Sequence, residues 1–187
     1  FIGLCNQNYD LQIFMQSQMG INLMFFSIPT IFISSFALIC CYETIRYYPY
    51  NYLYLTLFTI AMTYSLGMVG IMYNSTTLLV SGLSTTSIFS GLTLYAVQTK
   101  VDYTMYGNIA IISLFGLLLF GFMTSLLQIQ MMQTIYAIGG SALFSFYIVY
   151  DTQLIVGGEH RKIMFHTDDY VLAAISLYLD IINLFVY

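Results

Sequence analysis

The sequence has no tryptophan, two prolines, three cysteines and only four lysines and arginines in 187 residues. Each scarcity removes a class of protein. Four basic side chains cannot track a phosphate backbone, so nucleic acid is excluded as a partner. Cys5, Cys40 and Cys41 form no pair at metal-ligand spacing. Neighbours such as Cys40 and Cys41 point in different directions on a helix, and all three read as small apolar fillers. With 6% charged residues, the chain cannot cover a globule with water-facing side chains as a soluble domain does. In the absence of Trp, the 18 tyrosines are left to anchor the chain at a membrane interface, as an amphipathic ring can.

Apolar side chains are abundant. Hydrophobic residues make up 59% of the chain and the mean hydropathy is +0.83, so lipid must supply the outer covering. Six apolar runs stand out, at residues 23–41, 52–70, 76–97, 107–127, 134–156 and 169–187. Each is long enough to cross a hydrocarbon core of about 30 Å as a helix. A closed β-barrel is the other way to satisfy a backbone in lipid, but the runs lack strict alternation and short turn punctuation. The expected fold is therefore an all-α integral membrane protein, one domain over residues 1–187. Residues 1–22 form a mixed, partly amphipathic segment and residues 23–187 a bundle of six spans. Pro29 falls inside the first run, where it should kink the helix, and Pro49 falls in a connection. The chain opens on Phe1 rather than Met, which fits a processed chain or one preceded by an earlier segment.

The charges check the count. Arg46 follows the first run, Lys100 the third, and Arg161 and Lys162 the fifth. Six spans put those three connections on one side of the membrane, while the connections after the second and fourth runs carry no charge, as the positive-inside rule requires. Glu43, Asp102, Glu159, Asp168 and Asp169 share the basic side and Asp10 lies opposite. An Asn74, Ser75, Thr76 sequon falls on the non-basic side in a very short loop. Small residues four apart, Ser87 and Gly91, Ala137 and Ser141, Ser141 and Ser145, mark close helix packing, with Gly139 and Gly140 adding a flat place.

Two acidic residues have no water to face. Asp151 lies within the fifth run and Asp180 near the middle of the sixth, where an ionised Asp costs about 2.5 to 3.5 kcal/mol even on permissive scales. Such groups face a bundle interior or a wet cavity. Ala173, Ser176, Asp180, Asn183 and Tyr187 form one small and polar stripe, and Gly140, Phe144, Tyr147 and Asp151 another. Helices joined by a short loop should bring the stripes together, although counting residues leaves Asp151 about 8 Å and Asp180 about 17 Å from that loop. Either the fifth helix continues past Gly157 or the last one begins out at Asp168. His160 and His166 lie near Glu159, Asp168 and Asp169 at no metal spacing. Gly157 and Gly158 read as a helix C-cap and Asp168 as an N-cap. No residue pattern calls for a cofactor or a catalytic centre.

Residues 150–185, YDTQLIVGGEHRKIMFHTDDYVLAAISLYLDIINLF, resemble the C-terminal signature of the Bax inhibitor motif family, most of all its Lifeguard branch. QTKVDYT at 98–104, and CCYETIRYYPYN with FTIAMTYSLG between residues 40 and 67, resemble that branch's loop and its second and third helices. The six runs then correspond to family helices two to seven, with the first absent and the last cut short. This resemblance implies a seven-helix fold, basic loops in the cytosol and a pH-sensitive calcium leak from an internal store, with calcium or protons as the ions moved or sensed. Its aspartate pair falls on Asp151 and Asp180, with Asn183, Tyr147 and Ser176 in support and Arg46 in the place of the family's helix-two arginine. The endoplasmic reticulum or Golgi is the expected membrane, the mitochondrial inner membrane the alternative. A non-catalytic structural subunit of a larger membrane complex, with other membrane proteins as partners, is the second reading.

Overall fold

The computed structural model describes residues 8–40, 47–158 and 160–187, with the side chains of 32 and 35–40 left out. Arg46, Glu43, Cys5, Cys41 and Glu159 lie outside the described residues, as does the side chain of Cys40. Among the described residues the regular structure is all helical: α1 (Tyr9–Gln16), α2 (Gln18–Cys40), α3 (Tyr50–Gly70), α4 (Ser75–Gln98), α5 (Gly107–Leu127), α6 (Gln130–Val156) and α7 (Tyr170–Val186). Short 3-10 turns, Thr104–Tyr106 and Thr167–Asp169, lead into α5 and α7.

The chain is an all-α integral membrane protein. Helices α3 to α7, with α5 and α7 extended by their leading turns, are long and apolar enough to cross a bilayer. The first expected run lies on the 23-residue α2 up to Cys40, and that helix runs through Pro29. Large apolar side chains point outward along the spans. On α5, Ile112, Phe115 and Phe122 are about two-thirds exposed, a surface that only lipid or another apolar helix can cover. Helix α6 starts at Gln130, a turn before the expected 134, because Gln128 adopts a left-handed conformation (φ 53°) and reverses the chain within two residues.

Contacts divide the chain into two compact units, residues 1–82 and 83–187, with α4 running from one to the other. In the first unit the break between α1 and α2 falls at Ser17, whose hydroxyl donates to the Phe14 carbonyl at 2.6 Å and accepts from Gly20 N–H at 3.3 Å. A Cβ at position 20 would strike the Phe14 and Met15 carbonyls; only glycine fits the turn. Helices α2 and α3 then pack antiparallel. Tyr54 donates to the Ser34 carbonyl at 2.7 Å, Ser27 and Ser65 share a hydrogen bond of 2.8 Å, and Tyr64 donates to the Gly20 carbonyl at 2.8 Å. Hydroxyl bonds of this kind join helices where burial of apolar surface gives no drive, since lipid is as apolar as the helix.

In the second unit α6 is the central element, packed against both α5 and α7. Tyrosine rings on α6 lie against glycines on α5: Tyr136 on Gly121 and Tyr150 on Gly107, with Leu117 near Gly139. These pairs run in opposite directions along the two helices, so α5 and α6 are antiparallel and in register. On the other side the Tyr187 ring covers Gly140, stacks on Phe144 at 5.7 Å between centroids and donates to the Tyr136 hydroxyl at 2.6 Å. Phe144, Ile148 and Leu184 are the buried core between α6 and α7, walled by Phe89 and Leu92 of α4 and Leu114 and Leu117 of α5.

Helix α6 ends at Val156 with Gly157 as its cap (φ 61°), its N–H reaching the Gln153 carbonyl at 3.0 Å. The expected N-cap Asp168 is corrected. Thr167–Asp169 winds as a 3-10 turn, so α7 is capped at Asp169 and the turn itself at His166, whose backbone N–H donates to the Asp169 carboxylate at 3.0 Å.

Candidate functional site

Asp151 and Asp180 meet. They line one cleft at the contact of α6 and α7, with Ser176 beside them, near enough for the two carboxyl groups to interact electrostatically. Both residues are almost fully buried. Ser176 and Asp180 stand one turn apart on α7 and bracket Asp151, which settles how residues at different counted depths come level. Helix α6 does not continue past Gly157. Because Asp151 lies opposite 176–180 on an antiparallel helix, Val156 lies level with the first turns of α7, and the turns around 167–172 project beyond it. At 1.5 to 2 Å per residue these make up the difference of about 9 Å.

The pair lies in a cleft of about 360 Å³. Its walls are apolar, formed by Leu114, Leu117 and Leu118 of α5, Phe144 of α6 and Leu179 and Tyr187 of α7, and its polar lining is Tyr147, Asp151, Ser176, Asp180 and Asn183. The Ser176 hydroxyl reaches its own helix at the Ala173 carbonyl (3.1 Å), and Asn183 donates to the Leu179 carbonyl (2.8 Å). Asp180 Oδ2 is buried with no hydrogen-bond partner among the described residues. That acceptor is costly to leave open in an apolar site and suits a proton, a water or a passing cation. Every expected site residue except Arg46 lines this one cleft, and Arg46 lies outside the described residues.

A second polar cluster, absent from the sequence reading, lies at the basic end of the same unit. Gln153 is 1% exposed and uses its whole amide: it accepts from Tyr103 N–H at 2.8 Å and donates to the carbonyls of Val101 (3.0 Å) and Ala96 (3.4 Å). Arg161 donates to the Val101, Thr99 and Ala96 carbonyls at 2.5, 2.7 and 3.1 Å. It thus caps the C-terminus of α4, where free carbonyls and the helix dipole favour a cation. In return Asp102 accepts the Lys162 N–H at 3.1 Å and caps the turn into α5, taking the Thr104 hydroxyl at 2.6 Å and its N–H at 3.0 Å. The Thr104 hydroxyl, joined by these backbone donors and the Arg161 charge, holds the Asp102 carboxyl below the usual carboxylate range. The connection bearing Lys100 and the connection bearing Lys162 are therefore braced at one end. The signal available in the sequence was a glutamine two residues from an intramembrane aspartate, which only a structure distinguishes from an interfacial polar group.

The family model described as "Inhibitor of apoptosis-promoting Bax1" matches residues 10–187. Human protein lifeguard 3 is 32% identical over 154 residues, 80% of this chain and 49% of that protein. Mouse protein lifeguard 4 is 36% identical over 140 residues, 75% of this chain and 56% of that protein. Mouse protein lifeguard 3 is similar at 29% identity over 154 residues. The chain spans about half the length of these relatives.

Proposed function

We propose that this chain, which belongs to the family of inhibitors of apoptosis-promoting Bax1, is a pH-sensitive calcium leak path, or a regulator of one, and acts through ion balance on cell death. The observation that carries the reading is the placement of Asp151 and Asp180, both buried, in one cleft between spans. Two carboxylates in contact in a low dielectric do not both ionise cheaply, so the pair shares a proton, and its titration belongs to the pair rather than to either residue. The shared proton holds α6 against α7. Raising the pH removes it and puts two like charges in contact, which drives the helices apart, so flux rises with pH through the pair's titration.

Calcium takes 6 to 8 oxygen ligands when it is held firmly. The cleft offers two carboxylates with the oxygens of Ser176, Asn183 and Tyr147, a sparse set that suits brief passage better than storage. The reading needs no catalytic step and no cofactor. Its membrane is that of an internal store, the endoplasmic reticulum or Golgi, with the mitochondrial inner membrane as the alternative that cell fractionation decides.

The test is calcium flux through the protein in liposomes across a pH series, for wild type, Asp151→Asn and Asp180→Asn. Asn keeps the shape and removes the titration, so each change flattens the pH dependence that wild type shows. Absence of flux at every pH from helical, membrane-inserted wild type overturns the leak and leaves the structural-subunit reading.

A further inference from the structure

The Gln153 and Arg161 cluster is a braced joint between two connections, and it lies on the same helix as Asp151. Residues two apart on an α-helix point to nearly opposite faces. Asp151 lines the cleft shared with Ser176 and Asp180 of α7, and Gln153 faces the end of α4 and the turn into α5. The last turns of α6 are thus held from behind by a buried amide while the front carries the carboxyl. Arg161 doubles the hold: Ala96 and Val101 each accept from both Gln153 and Arg161. A largely buried network of this kind fixes position well, because a shift of α6 breaks three hydrogen bonds of Gln153 at once and leaves the Tyr103 N–H without its partner. Tyr150, packed on Gly107, adds a contact to α5 at the same level.

We propose that Gln153 is a positioning residue for the carboxyl pair: with Arg161 it clamps the basic end of α6 to the end of α4 and so sets Asp151 beside Asp180 in the cleft. The clamp acts through the helix and touches neither carboxyl. It rests on the reading of the pair as a proton-sharing site, and it adds a place, at the membrane surface, from which that site is controlled. Whatever loosens the two connections displaces Asp151.

The experiment is an infrared pH titration of the whole chain in lipid nanodiscs, following the protonated carboxyl band that both Asp151→Asn and Asp180→Asn abolish. Hydrogen exchange at the Tyr103 and Lys162 amides runs beside it. Gln153→Leu carries no change of charge. It is expected to speed exchange at Tyr103 and displace the titration midpoint by about 0.4 to 1.5 pH units, the span of couplings carried through such networks. Arg161→Ala does the same, and Arg161→Lys, whose single ammonium replaces a fork that reaches three carbonyls, does so less. Lys100→Ala, which removes a cation from the same end but no part of the clamp, leaves the midpoint in place. Arg161→Lys sits at the rim of the cluster and carries the test if Gln153→Leu fails to accumulate.

Faster exchange with an unmoved midpoint reduces the cluster to a structural brace and overturns the proposal. So does unchanged exchange at Tyr103 in Gln153→Leu, or a midpoint that follows Lys100→Ala as far as Arg161→Ala. Failure of the underlying reading looks different: wild type itself then shows no titrating carboxyl band that depends on Asp151 and Asp180.

Discussion

Gly139 and Gly140 are neighbours on α6 with opposite surroundings. A Cβ at 140 would enter the Tyr187 ring, whereas one at 139 meets only Leu117 Cδ1 at 3.9 Å, an ordinary contact. Gly140→Leu should therefore lift Tyr187 from its stack on Phe144 and its bond to Tyr136, at about 1 to 3 kcal/mol, the usual range for overpacking. Gly139→Ala should be within about 1 kcal/mol of wild type and even gain from its helix propensity. Steric-trap or denaturant unfolding of both variants in the same detergent checks the contrast, and equal effects refute it. In the sequence these two glycines made one flat place, because periodicity shows which face a residue takes but not which ring lies across it. The carboxyl pair was more legible. An Asp in a run of apolar residues has few environments it can tolerate, so cost alone singled out Asp151 and Asp180, and the helical stripes of Ser176, Asn183 and Tyr147 placed them beside it. Gln153 is neutral and cheap to leave at an interface, so nothing of that kind marked it.

Connections were harder to read than helices. Long apolar runs specify a helix through hydrogen bonding in lipid, with little freedom in where they end, and the ends of α3 to α6 fall within a turn of expectation. The turn at Thr167–Asp169 was misread because an N-cap counted back from an α-helix does not foresee a 3-10 turn before it. Likewise the charges of Arg161 and Asp102 mark sidedness in the sequence, while the structure also uses them as caps on the connection between α4 and α5. Asp102 gives this scale its prediction. Its carboxyl is held below the ordinary value first by the Thr104 hydroxyl. A depressed carboxylate contributes stability that is present above its unfolded pKa, about 3.9, and is lost as pH falls through its lower folded value. The braced connections should thus stay protected at pH 4 and loosen below it. In Asp102→Asn, exchange at the Thr104 and Lys162 amides should be faster at neutral pH and lose its dependence on pH in the acid range. Persistence of a wild-type acid profile in that variant contradicts the assignment.

For the whole molecule the open quantity is sidedness, and geometry now supplies part of it. The ends of α4 and α6 and the connections that follow them are tied together by Gln153, Arg161 and Asp102, so the connections bearing Lys100 and Lys162 lie at one end of the second unit. The short uncharged turn at Gln128 and Ile129 lies at the other, one span away. Positive charge concentrates on the cytoplasmic side of membrane proteins, which predicts that the Lys100 and Lys162 end faces the cytoplasm. Arg46 precedes α3 and Asn74 follows it, so a single crossing by α3 and another by α4 place Arg46 with Lys100 and Asn74 with Gln130. Single cysteines at 46, 100, 162, 74 and 130, in a background with Cys5, Cys40 and Cys41 replaced, should label accordingly in sealed vesicles of known orientation. Positions 46, 100 and 162 should react with an impermeant maleimide from the cytoplasmic face, and 74 and 130 only after the membrane is opened. A split between 100 and 162 would contradict the braced connections themselves. Agreement of those two with 46 on the far side would instead mean that α3 and α4 do not both cross, and would remove the span count while leaving the carboxyl cleft of the second unit intact.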